Sequence, residues 1–154
     1  MPAGVFVFPD LAKLNLFNAT NLLNATAANW RLALVASGWT PNNTTDELWA
    51  AASGNEIANG QGYSTGGIAL TSVALTQTGG VVKFTSAAAV WNATGTGIPA
   101  WRRGVVYYLG TLNGKVNPML GHFLGDSAPA DVPLTTAGNP LTVTPHANGI
   151  LSAT

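Results

Sequence analysis

Two histidines, six carboxylates and a large stock of serine and threonine are the side chains with which this cysteine-free chain of 154 residues would have to do acid–base or nucleophilic chemistry. His122 and Asp126, four residues apart, are the His–carboxylate pair closest in sequence. On an extended strand that spacing places both on one face, about 13 Å apart, and a turn at Gly125 would shorten the distance. A His–Asp couple orients a hydroxyl nucleophile in hydrolases; a strand histidine here reads more simply as a hydrogen-bonding group at a sheet surface or subunit contact. His146 stands beside a turn with no carboxylate close to it in sequence.

The remaining candidates for chemistry are weaker. Asp46 and Glu47 are neighbours, and adjacent side chains do not face one another on a helix or a strand. A glycosidase needs two carboxyls opposed across the scissile bond. The sequence has no His-Glu-x-x-His, no Asp-rich calcium loop and no thiol to hold a metal. The glycine loop Gly60-Gln61-Gly62-Tyr63-Ser64-Thr65-Gly66-Gly67 misses the dinucleotide fingerprint by one residue. It also runs into a β-favouring segment instead of the helix N-terminus that would hold a pyrophosphate. The reading is therefore no catalytic residue, no metal, no cofactor, and a chain that is not an enzyme.

Charge is the most unusual feature of the composition. Six Lys/Arg and six Asp/Glu make 8% of the chain and a net charge of zero, while 47% is apolar; a typical domain carries roughly 25% charged residues. Weakly charged, neutral surfaces associate, so the composition points to a protein built into an assembly. Scattered basic residues, with only Arg102 and Arg103 together, argue against nucleic-acid binding. The longest apolar runs fall far short of the ~20 residues of a membrane helix, and the start of the chain lacks the basic region of a signal peptide.

The elements that would position these residues follow from punctuation by 18 glycines and 9 prolines. Between them lie β-favouring segments at 30–35, 68–75, 81–85, 87–91, 105–109, 119–124 and 141–144, about seven or eight short strands in all. Trp30, Leu32 and Leu34 share one face of their strand and Arg31 the other. Residues 105–109 are apolar on both faces and so central. Thr78-Gly79-Gly80 and Asn113-Gly114 read as hairpin turns, residues 10–17 as one short helix capped by Asp10, and residues 45–49 as a helical turn. This is an all-β chain, expected to fold as an antiparallel, jelly-roll-like β-sandwich with one short N-terminal helix. Residues 1–9 form an apolar arm and residues 10–154 a single sandwich domain.

Candidate partner contacts come from the arm and from loop aromatics. Val5, Phe6, Val7 and Phe8 are four consecutive apolar residues between Gly4 and Pro9, able to add to the sheet edge of a neighbouring subunit or to form the first strand of their own domain. Trp39, Trp49 and Trp101 fall in loops, where aromatics serve as packing or subunit-contact anchors, or as a sugar platform.

Several phrases in order resemble one family. These are the strand 30–35 ending near Thr40-Pro41, Asn55-Glu56-Ile57 before Gly62-Tyr63-Ser64-Thr65-Gly66-Gly67, and the stretch from Phe84 to Trp91. The tyrosine-bearing strand 103–109, the segment 121–125, and Leu141-Thr142-Val143-Thr144 leading to Ala147-Asn148-Gly149-Ile150 complete the set. Over about residues 30–152 the chain resembles small virion structural proteins of tailed bacteriophages, departing from them at Pro145, where an aromatic is more usual. The resemblance implies a non-enzymatic component that decorates or cements the head shell. Its partners would be the major capsid protein and itself, as a homotrimer at local three-fold positions of the shell, with no nucleic acid or membrane partner. Made in the host cytoplasm, it would reside in the virion. A tail or fibre component, or a glycan- or receptor-binding module of the virion, are the alternatives.

Overall fold

Residues 103–108 hold the centre of the structure because both of their faces are apolar. The computed structural model describes residues 4–7, 9, 29–78, 81–126 and 130–153; it is mostly β, with 44% strand, 4% helix and antiparallel sheets. The largest sheet has five strands in the order β1 (Phe6–Val7), β10 (Met119–Leu124), β7 (Arg103–Tyr108), β2 (Trp30–Val35), β3 (Ile68–Ala69). The strand expected to be central is central. Arg31 faces away from Trp30, Leu32 and Leu34, as the alternation requires, and its Nη1 donates to the Gly67 carbonyl at 3.1 Å.

The two faces of this sheet are covered differently. On one, Trp30, Leu32, Leu34, Val106, Leu120 and Phe123 share a core with Phe84 of β5 (Val81–Thr85), Ala89 and Trp91 of β6 (Ala89–Asn92), and Leu141 and Val143 of β11 (Pro140–Val143). Strand β6 pairs with β11; β5 lies between β4 (Ala74–Thr78) and β12 (Leu151–Ala153). Trp30 meets Phe84 and Tyr108 edge-on, with ring centroids 5.3 and 5.5 Å apart, a favoured aromatic geometry. On the other face Ala33, Val35, Val105, Tyr107 and Met119 are covered by Trp39, Trp49 and Ala52, the last from the short helix α1 (Ala50–Ser53). The Trp49 ring stacks on Tyr107 at 4.8 Å. Backbone bonds from Trp49 N–H to the Asn117 carbonyl and from Met119 N–H to the Glu47 carbonyl, both 2.9 Å, tie this cover to the sheet.

Several expectations are corrected in detail. Residues 68–75 are not one strand: Ser72 adopts φ 51°, and the chain leaves β3, paired with β2, to enter β4, paired with β5. The helical turn expected at 45–49 lies instead at Ala50–Ser53, where three alanines replace the competing Thr and Asp side chains. The strand 151–153 was not legible in the sequence. The helix expected at 10–17 and the turn residues 79–80 lie outside the described residues, although Thr78 and Val81 pair across that hairpin. Asn113 and Gly114 do form a two-residue turn, with φ 50° and 74°, between β8 (Thr111–Leu112) and β9 (Lys115–Val116), as a type I′ hairpin requires.

The glycine loop serves close packing. Gly67, at φ 71°, lies so near β2 that a Cβ would collide with the Leu32 carbonyl oxygen. Gly67→Ala is expected to lose on the order of 3 kcal/mol, from left-handed strain plus a backbone clash. Gly114→Ala, with open space around it at φ 74°, should lose about 1 kcal/mol from strain alone. Urea unfolding followed by far-UV circular dichroism checks both, and equal losses would remove the close approach as a source of stability.

Candidate functional site

The N-terminal arm pairs with its own chain. Phe6 and Val7 register with Phe123 and His122 on β10, and the Gly4 N–H donates to the Leu124 carbonyl at 2.9 Å. Gly121 lacks the Cβ that would occupy the place of the Phe6 ring, so one glycine makes the socket for one aromatic. Phe6 and Val7 are half-buried, Val5 is 82% exposed, and Phe8 lies outside the described residues.

Beyond the arm lies a groove of about 420 Å³, walled by Val5 and Phe6 on one side and by His146, Ile150, Leu151 and Ser152 on the other. A turn builds the second wall: the Gly149 N–H donates to the His146 carbonyl at 2.8 Å and the Ile150 N–H to the Phe84 carbonyl at 2.8 Å. Gly149 supplies the φ of 87° that the turn demands. Both walls end in edge strands, since β1 pairs only with β10 and β12 only with β5 among the described residues. Phe6, His146, Gly149 and Ile150 also line an apolar recess of about 30 Å³ that reaches inward to Leu70, Phe123 and Val143.

The loop tryptophans are not at this site or on any surface. Trp39, Trp49 and Trp101 are 6, 8 and 1% exposed, which fits the packing alternative of their reading and leaves almost no ring surface for a partner contact. Trp39 and Trp49 close the second face of the large sheet. Trp101 packs where Gly125 has no side chain, and its backbone exchanges hydrogen bonds with Val132. Position in a loop told nothing of which way the ring turns. Trp30 and Trp91 are core residues, as expected.

Two polar clusters hold the covering segments down. The Tyr63 hydroxyl donates to Glu56 Oε1 at 2.7 Å and accepts from the Leu34 N–H at 3.0 Å, while the Gly66 N–H donates to the same carboxylate oxygen at 2.6 Å. The Tyr107 hydroxyl donates to the Gly66 carbonyl at 2.9 Å. Burial pushes both tyrosine pKa values up, so both hydroxyls stay protonated. Together they latch the glycine loop to β2 and β7. Sequence reading passed over Glu56, although a lone carboxylate beside a glycine loop in so charge-poor a chain was a signal.

The second cluster surrounds His122, which is 2% exposed. Its Nε2 lies 3.1 Å from Asn43 Oδ1, and Trp39 meets the ring edge-on at 5.3 Å; Nδ1 is buried without a partner among the described residues. The near neighbour in sequence, Asp126, is not the group that holds the ring. Gly62-Tyr63-Ser64-Thr65-Gly66 spells the Gly-x-Ser-x-Gly of a nucleophile elbow, but the loop enters strand β3 and not a helix, so it lacks the strand–turn–helix setting of that motif. Among the described residues no group of three His, Asp or Glu side chains is placed to share a metal ion. No family model matches the chain, and no curated protein or solved structure matches it.

The His122 cluster makes stability depend on pH. Burial, and then the Arg103 guanidinium, lower the His122 pKa to about 4 against a smaller opposing effect of Asp46, whereas an unfolded histidine titrates near 6.5. Between these values the unfolded chain binds more protons. The stabilisation is therefore complete above pH ~6.5 and is lost as pH falls toward the folded value of about 4. At 1.36 kcal/mol per pH unit the loss from pH 7 to 4.5 is expected to be about 2–3 kcal/mol. Urea unfolding of wild type and His122→Gln at both pH values isolates this contribution. A difference between the two proteins that does not change with pH would rule out His122 as its source.

Proposed function

We propose that this chain is a non-enzymatic structural protein of a tailed-phage particle, a capsid decoration or cement protein folded as a jelly-roll-like β-sandwich. The sandwich reading is supported by the core that Trp30, Leu34 and Val106 of the large sheet share with Phe84, Trp91 and Val143 of the smaller ones. The assembly role is carried by one observation: an uncharged groove between two edge strands, on a chain only 8% charged. Edge strands that natural monomers cover or guard with charge are here left bare of it. The phage setting rests on the ordered sequence phrases from Trp30 to Ile150 that resemble phage virion proteins.

The mechanism is mechanical. Bound across junctions between major capsid subunits, as a homotrimer at local three-fold positions, the protein adds free energy to the assembled shell alone and so stabilises it by mass action. Many modest contacts on one lattice then act as one strong attachment. A sugar-binding role finds no support in the tryptophans, all five of which are buried.

The test is binding of the purified protein to expanded heads that lack it, followed by heating with and without the protein while genome release is recorded. Saturable binding in register with the shell lattice and a higher release temperature are expected. Absence of binding to heads together with binding to tails would move the protein to the tail or fibre.

A further inference from the structure

We propose that the groove between β1 and β12 receives an extended, uncharged arm of the shell protein as an added β-strand, with one small apolar side chain of the arm seated in the recess beneath; this rests on the virion reading above. Each wall is an edge strand with one side of its backbone unpaired among the described residues, and such an edge is satisfied by another strand. A strand lying between β1 and β12 would bridge the five-stranded and three-stranded sheets.

Size and charge select the occupant. The groove is lined by eight residues, whereas a stable interface between globular faces uses roughly 20–30 residues a side. It therefore suits a single extended segment and is too small to hold a folded second copy by itself. None of the eight carries a formal charge, and four of them, Val5, Phe6, Ile150 and Leu151, are apolar. A charged segment would be desolvated there without compensation, so the arm must be uncharged where it lies in the groove. The recess, about 30 Å³ and lined almost wholly by apolar side chains such as Leu70, Ala87, Phe123 and Val143, fits the methyl groups of Ala or Val. A larger ring would not enter without displacing Phe6.

The test uses the full chain. Val5→Asp and Ser152→Asp alter exposed positions on opposite walls, and Val116→Asp alters an exposed apolar position on the β8–β9 hairpin, outside the groove lining. Binding to purified empty heads is measured for all four proteins, with hydrogen exchange of the bound wild type, after their unfolding midpoints are shown to match. Both groove variants should weaken binding at least about tenfold, since edge charge blocks strand pairing. Val116→Asp should bind as wild type does, and amides of residues 5–7 and 150–152 should gain protection. Unimpaired binding of both groove variants, or protection confined elsewhere, overturns the groove while leaving the virion reading intact.

If the wild type does not bind heads, it is the head-shell reading that fails. The groove is then judged by NMR titration with the hexapeptide acetyl-Thr-Val-Thr-Ala-Thr-Val-amide. Saturable shifts at residues 5–7 and 150–152 that are lost in Val5→Asp uphold a strand-accepting groove, and their absence overturns it. Concentration-dependent self-association of the wild type, abolished by Val5→Asp, would make a second copy the occupant and overturn the assignment to the shell protein.

Discussion

The structure depends on a single requirement, that β7 be removed from water on both sides. Val106 on one face and Val105 and Tyr107 on the other are all buried, so two separate covers must be found for one strand. The first is made of β5, β6 and β11. The second is not another sheet: the chain between β2 and β3 makes only isolated bridges, such as Val35 with Glu56 and Leu48 with Pro118. It is instead a folded loop that brings two indole rings, Trp39 and Trp49, and one turn of helix against the strand. Large rings suit this task because each buries much area for few ordered backbone residues. The polar clusters at Glu56 and His122 follow from the same requirement: a loop laid over a sheet must satisfy the groups it buries, and Tyr63, Gly66 and Asn43 are where it does so.

The sequence carried much of this. Strands β2, β5 and β10 were readable because alternation or double-faced apolarity is a local property of their residues, and the Asn113-Gly114 turn because its backbone chemistry admits few alternatives. The second cover was implied but not recognised: once residues 105–109 were seen to be apolar on both faces, the aromatic segment following β2 was the nearest material able to close the second one. The break at Ser72 was hidden, since residues 68–75 are uniformly β-favouring and only the two different pairing partners of β3 and β4 decide where the strand stops. The groove was less legible still. Val5 and Phe6 stand out, but the wall facing them is formed by residues 146–152, at least 140 positions away, and no local pattern connects the two.

The same economy accounts for the near absence of charge. Surface ion pairs contribute little to a fold, and the two described here, Arg102 with Asp131 at 2.7 Å and Lys115 with Glu47 at 2.8 Å, lie outside the strands of the large sheet. The interior is held by aliphatic and aromatic packing and by backbone pairing. Such a chain has little need of charge for folding, and its surface is free to be neutral where another neutral surface is to meet it.

The order of strands in the large sheet also dictates an order in time. Strand β1 precedes its partner β10, which begins at Met119, and β2, although it can pair early with β3, meets its other neighbour β7 only from Arg103 on. The chain through Tyr108 must leave the ribosome before β2 and β7 can pair, and through Phe123 before β1 and β10 can, and closing such distant pairings makes folding slow. Until then the apolar residues Val5, Phe6 and Val7 lack their partner strand. A chain folded only that far exposes an apolar strand able to pair with the same segment of another copy.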